Sequence, residues 1–321
     1  MVKAIKTEGK QEMAKSDYGK YIIRKPIYEE TGPRIKNCQS PPMTFISNKL
    51  IPGADNYVQL GWIYGVPEPR TYINEHAHDF DQIIIYWGGN AKTPQDLGAE
   101  IEFYIGGQPI TFNTTTGIFI PKGTPHGPIT WNKFRFPHIQ MTLTLGTGDA
   151  GEIWSKSGIP ESRKELPVKK DEFDYEQYVI RSPLRETGDV FTKGRQTPTM
   201  TYMSRTQINA ANCYIEFGWI WGEVEPSIGE MRHEKHDEIV LHIGGDYENP
   251  EDLGANMEFG LGGKLFSLDT SFGVFIPRGV RHGPLNFKAC RKPYIEMAIM
   301  LGAGTYAEGW ADSFFERPPR R

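Results

Sequence analysis

The sequence predicts an all-β chain: two tandem antiparallel β-barrels in one polypeptide, related by pseudo-two-fold symmetry, with few helices. Three observations predict it. The chain repeats itself, its apolar segments are short and strand-like, and its turns are rich in glycine and proline. "GWIYGVPEP" (61–69) returns as "GWIWGEVEP" (218–226), and "DLGAEIEFYIGG" (96–107) as "DLGANMEFGLGG" (252–263). "GIFIPKGTPHGP" (117–128) returns as "GVFIPRGVRHGP" (273–284). A repeat of this length is sought first, because it fixes the architecture before any element is assigned. The 35 glycines and 24 prolines among 321 residues suit many strands joined by turns.

The elements follow in chain order. Residues 1–17 are polar and lysine-bearing and read as an N-terminal arm. The first unit, 18–154, opens with "YGKYIIRKPIYEETG" (18–32), which "YEQYVIRSPLRETG" (175–188) echoes. "MTFIS" (43–47) is matched by "MTYMS" (200–204). "QIIIYWGG" (82–89), "AEIEFYIGG" (99–107), "GIFIPKG" (117–123) and "IQMTLTLG" (139–146) are rich in β-branched and aromatic residues and end in glycine, as strands do. "PQDLGA" (94–99) and "PEDLGA" (250–255) suggest a helical turn in each copy. Residues 155–174 are charged and contain proline, a linker. The second unit covers 175–310, and 311–321 form a tail. Trp62, Trp219 and Trp221 lie on the repeated apolar "GWI" strand and are expected to pack between barrels.

Bulk properties exclude several classes. A net charge of −4 gives no reason to expect nucleic acid or an anionic membrane as partner. No apolar run is long enough to span a bilayer, and the N-terminus lacks the apolar core of a signal peptide. Cys38, Cys213 and Cys290 form no CxxC pair, which favours a reducing, cytoplasmic setting. No glycine-rich phosphate loop stands between a strand and a helix. A homo-oligomer, most simply a dimer, is the general expectation.

The stretch "NEHAHDFDQIIIYWGG" (74–89) carries the chemistry. His76 and His78 are two apart, so on an extended segment they project to the same side. His126, at the end of "GIFIPKGTPH", would add a third imidazole from a distant strand and leave coordination positions open. Gln82 stands where a carboxylate would be more natural; its neutral carbonyl can ligate but does not offset the charge of an ion. An HxH, then an acid-type position, then glycine, followed by the "GIFIPKGTPH" pattern (its proline one residue early), resembles the two motifs of the cupin superfamily. Both motifs occur in order in each copy, so the whole chain resembles a bicupin. The resemblance implies jelly-roll barrels whose lumens each hold a divalent transition metal (Fe, Mn, Ni or Zn) on up to three histidines and one carboxylate. It also implies a small-molecule substrate.

The second copy, "MRHEKHDEIVLHIGG" (231–245), is irregular. From Pro226 to Gly244 it is one residue shorter than from Pro69 to Gly88. If the loss lies inside the motif, His233 takes the first-histidine place and Glu238 the place of Gln82. His236 then supplies the second imidazole through a bulge, and His282 the third. Read back from Glu238 without a gap, Arg232 and Glu234 fall on the histidine positions and the site is dead. Glu296 aligns with Gln140, again an acid where copy one has an amide. Glu102 and Glu258 match in "AEIEF" and "ANMEF"; they face either lumen or solvent, and in the lumen either could be a general base. His138 and His242 read as wall or surface residues.

Three functions fit. The first is metal-dependent, dioxygenase-type ring or C–C cleavage of a small oxygen-rich substrate (polyhydroxylated, keto or β-diketone-like), whose neighbouring oxygens the ion chelates. The second is an oxygen-independent hydrolase, lyase or isomerase, such as one hydrolysing a cyclic β-diketone, with Glu102 or Glu258 moving protons. The third is a non-catalytic binding or storage bicupin.

Overall fold

A computed structural model describes residues 17–29, 33–154, 173–186, 192–310 and 313–314. The N-terminal arm up to residue 16, most of the linker (155–172) and most of the C-terminal tail lie outside the described residues.

Each copy folds into two antiparallel sheets packed face to face. In barrel one the larger sheet runs Val179–Ile180, Thr116–Ile120, Asp81–Gly88, His138–Leu145, Asn56–Glu68, Met43–Ile46, Ile27–Tyr28. The smaller runs Thr71–Tyr72, His126–Phe134, Asp96–Ile105, Gln108–Thr114. Barrel two repeats the scheme with Ile22–Ile23, Phe272–Ile276, Asp237–Gly244, Tyr294–Leu301, Cys213–Glu225 and Lys193–Arg195 opposite Lys264–Thr270, Asp252–Leu261 and His282–Cys290.

The outermost strand of each large sheet comes from the other copy. Ile180 pairs with Gly117, and Ile22 with Val274. The exchange crosses the boundary that the repeat suggests and covers an edge that would otherwise stand open.

Alternation along the strands decides what faces where. On Asp81–Gly88, Ile83, Ile85 and Trp87 join a core that both copies build with Trp62, Phe217 and Trp219. Ile84 and Tyr86 instead face the lumen, with Ile101, Phe103, Ile105 and Trp131. The apolar run "IIIYW" is therefore buried on both faces. Trp62 and Trp219 do pack between the barrels, but Trp221 is 49% exposed: it shares the face of Trp219 and lies further along the strand, beyond the shared core. The "DLGA" stretches hold turns rather than helix: Asp96 N bonds Thr93 O, Asp252 N bonds Asn249 O, and the strands begin at Asp96 and Asp252. The short helices Ala150–Trp154 and Tyr306–Trp310 each follow the last strand of their barrel. Ile153 packs with Tyr57 and Phe80, while Trp310 packs against Tyr214 and Met300.

Candidate metal centres

In barrel one the imidazoles of His76, His78 and His126 converge. Their ring centroids are 4.7, 4.3 and 5.1 Å apart, and one ligand nitrogen from each lies within 4.8 Å of the others. Backbone hydrogen bonds bring them together. His76 and His126 form a two-way bridge, and Gly123 N bonds His78 O. Gly123 (φ 79) and Gly127 (φ 94) need the left-handed region that glycine alone enters freely. A Cβ on Gly127 would also meet Asn74 O at 2.8 Å. This explains the glycines on either side of the ligand in "KGTPHGP".

The ring orientations follow from backbone carbonyls. His76 Nδ1 lies 2.7 Å from Asn74 O and His126 Nδ1 2.9 Å from Thr124 O. A ring nitrogen facing a carbonyl carries the proton, so the lone pair is on Nε2, the tautomer a metal needs. Burial, then the neighbouring His76, lowers the pKa of His126 to about 3, so its imidazole stays neutral at ordinary pH. Gln82 is buried beside the rings, and neither its Oε1 nor His126 Nε2 has a hydrogen-bond partner. Buried polar atoms rarely stay orphaned, and two residues with such atoms lining one cavity fit an ion there. The cavity they border is closed by Ile73, Phe103, Ile153 and Thr142. It shares Ile73, Gln140 and Thr142 with a larger neighbouring pocket lined by Gln59 and Tyr72.

Barrel two brings together His233, Glu238 and His282, all fully buried. Glu238 Oε2 is 3.1 Å from His233 Nε2 and 2.9 Å from His282 Nε2. Val280 O faces His282 Nδ1 at 3.2 Å. His233 Nδ1 lies 3.0 Å from Ser313 Oγ, whose own proton goes to Gly309 O. Both Nε2 atoms thus face the carboxylate, an arrangement made favourable by a cation between them or by a proton on each Nε2. Ligands at right angles around an ion about 2.1 Å away sit roughly 3.0 Å apart, the separation found here. Burial pushes the Glu238 carboxyl up, but His282 and His233 outweigh it, so its pKa is lowered.

The register differs from both sequence alignments. Met231, not His233, makes the two-way bridge to His282 that His76 makes to His126. Gly279 N bonds His233 O as Gly123 N bonds His78 O. His233 is therefore the second histidine, and Met231 replaces the first. The single missing residue is really two losses and one gain. Tyr72 and Ile228 pair equivalently, so one loss precedes them and one follows at Ile73, whose φ is 65. The gain lies between His233 and Asp237, which caps Arg278 N as Asp81 caps Lys122 N. His236 is consequently not in the ligand group: it takes the place of Phe80, with its ring 4.6 Å from His233, as Phe80 is 4.7 Å from His78. Arg232 and Glu234 pair with each other at the surface.

Glu102 and Glu258 are not in either lumen, which corrects the general-base expectation. Ile101, Phe103, Met257 and Phe259 take the inward phase. Glu102 stands across from Thr130 and Thr111 on the outer face, and Glu258 bonds Asn286 and pairs with Lys288 there. His138 and His242 are wall residues: each is fully buried, and His138 Nε2 accepts from Trp131 Nε1 at 3.0 Å.

The lumen faces of the large sheets differ in charge. Gln82, Gln140, Gln59 and Cys38 in barrel one correspond to Glu238, Glu296, Glu216 and Arg195 in barrel two. Arg195 pairs with Glu296 at 2.9 Å, and Glu216 accepts from Thr199 Oγ1 and Tyr214 Oη, both at 3.0 Å. The roles of Arg195 and Glu216 were missed in the sequence, although laying one copy over the other pairs them with Cys38 and Gln59. Ser313 shows only as the repeat of Ser157, outside both motifs, and Met231 had no such signal.

No family model and no curated protein matches the sequence. Solved structures do. AerE from Microcystis aeruginosa is 14% identical, with a TM-score of 0.52 over 88% of this chain and 98% of its own. Vicilin from hazelnut, Corylus avellana, is 11% identical, with a TM-score of 0.50 over 88% of this chain and 86% of its own. A variant of oxalate decarboxylase from Bacillus subtilis is 10% identical, with a TM-score of 0.52 over 87% of this chain and 81% of its own. The chain thus has the two-domain cupin fold, shared by a decarboxylase and a seed protein alike.

Proposed function

We propose that the chain is a metal-dependent enzyme whose active site is the lumen of barrel one, acting on a small oxygen-rich substrate by dioxygenase-type C–C cleavage. The observation that carries this reading is the convergence of His76, His78 and His126 on a cavity that shares part of its wall with a larger side pocket. A divalent ion there would supply Lewis acidity to chelating substrate oxygens and, if redox-active, the electron transfer that O₂ chemistry requires. The chain's own groups do the rest. His76 and His126 hold their Nε2 lone pairs inward through backbone carbonyls. Ile73, Phe103 and Ile153 keep the cavity apolar and limit water. Gln140 and Thr142 offer hydrogen bonds where the two cavities meet.

The hydrolytic reading is less well supported. As proposed it needs a proton-moving carboxylate beside the ion; among the described residues none lines the ion cavity, and Glu29 in the side pocket is held by Lys49. Glu102 and Glu258, the candidates for that role, stand on the outer face. The test is metal analysis of the purified chain, followed by O₂ uptake with a panel of diketones and polyhydroxylated aromatics. Uptake lost in His126→Ala supports the reading. Substrate turnover without uptake moves it to the hydrolase class, and an absence of metal leaves only a binding role.

A further inference from the structure

The two lumens differ in charge at four matched positions: three amides of barrel one are carboxylates in barrel two, and one thiol is a guanidinium. Barrel one presents Gln82, Gln140, Gln59 and Cys38, and burial pushes the Cys38 thiol up to about 12, so it stays protonated. Barrel two presents Glu238, Glu296, Glu216 and Arg195. Arg195 and Glu296 cancel each other at 2.9 Å, and burial raises the pKa of Glu216, which leaves Glu238 as the countercharge beside the ligands. The rim acid Glu29 does not redress the balance in barrel one, because Lys49 holds it at 2.6 Å. Access differs in the same sense. Ser313 holds His233, Trp310 lies 5.7 Å from the same ring, and Met231 bridges to both His282 and Phe314. All three barrel-two ligands are buried, whereas His76 is partly exposed and the barrel-one cavity shares Ile73, Gln140 and Thr142 with a larger neighbouring pocket.

We propose that barrel two holds its ion as a closed, internally charge-compensated site, and that barrel one recruits the missing negative charge from its ligand. The substrate of barrel one is then an anionic oxygen chelator, an enolate or carboxylate with a second oxygen in reach. This rests on the reading of barrel one as a metal-dependent active site. The physical reason is the cost of a buried ion among neutral donors. Three imidazoles and an amide leave a divalent cation uncompensated in a low-dielectric lumen, so an anion gains far more there than a neutral oxygen ligand does. In barrel two the protein has already supplied the charge, and structural sites are closed where catalytic ones keep a position open.

The test uses Co²⁺, whose visible spectrum reports its ligands. His282→Ala confines the ion to barrel one and His126→Ala to barrel two. Acetylacetonate is expected to change the spectrum of the barrel-one ion, while the neutral diol of the same carbon skeleton does not. Neither should change the barrel-two ion. Gln82→Glu adds one charge beside the site and should weaken acetylacetonate binding at least about tenfold while tightening Co²⁺. If His282→Ala does not fold, the wild-type chain and Gln82→Glu alone give the same comparison. The proposal is overturned if the diol binds barrel one as tightly as the anion, or if the anion binds barrel two equally well. If barrel one takes up no Co²⁺, the metal-dependent reading falls first, and that outcome is distinct from a failure of charge selectivity alone.

Discussion

Barrel one and barrel two share strands, turns and a carbonyl-oriented histidine in "HGP", yet they assemble different donor sets. The difference lies in a loop. Copy one runs through Ile73 in a left-handed conformation and delivers His76 and His78. Copy two omits that residue, puts Met231 in the first place, and adds a residue after His233 that seats His236 against the ring. The strand that follows then offers Gln82 in one barrel and Glu238 in the other. The lesson is that the barrel fixes where a ligand can stand, while loop length and one amide-for-acid exchange decide what kind of site results.

The largest expected effect comes from removing the group that distinguishes the barrels. Glu238→Ala should weaken metal binding in barrel two beyond the roughly 100-fold that outer-shell losses reach, whereas Gln82→Ala should cost barrel one under about tenfold. Metal titration of the two variants checks this, and equal losses would erase the comparison.

Next comes acid sensitivity. The folded state keeps His138 neutral because burial lowers its pKa to about 4 from 6.5. The unfolded chain takes up the proton first, so this contribution is full above about 6.5 and drains as pH falls towards about 4, by about 3 kcal/mol. Copy two has Tyr294 at the matching position, which carries no such dependence. His138→Gln keeps an acceptor for Trp131 and should make the stability profile between pH 6.5 and 4 shallower in denaturant titrations, with the remaining slope due to His126 and His242, whose pKa values burial lowers to about 3. An unchanged slope would show that His138 is not the group responsible.

Ser313→Ala removes the anchor of His233 and should weaken barrel-two metal binding by about 10–100-fold while leaving barrel one as it was. The smallest effect belongs to the outer face. Glu102→Gln should change stability by less than about 0.5 kcal/mol and leave turnover unaltered. A large loss of turnover would return Glu102 to the mechanism.

The repeat, the strands and the converging histidines were legible in the sequence because each leaves a periodic or spaced mark. Alternation told that Glu102 opposes Ile101 and Phe103, but not which face was the lumen; that depends on which sheet the strand packs against. The register of copy two was misread for a related reason. Net length records one missing residue, whereas two losses and one gain cancel, and only the bridges of Met231 and His76 separate them. Ser313 repeats Ser157, but its role was not legible because it lies outside both motifs and its partner His233 is 80 residues away in the chain. Arg195 and Glu216 were within reach, since superposing the copies exposes each exchange, but both lie outside the two metal motifs.

The account's central claim is that the two sites differ in closure and countercharge. Dialysis of the Co²⁺-loaded chain against a chelator, followed by elemental analysis and the visible spectrum, tests it directly. The ion of barrel one should leave first, and that of barrel two should remain through extended dialysis. Loss of both ions at one rate, or of the barrel-two ion first, would contradict it.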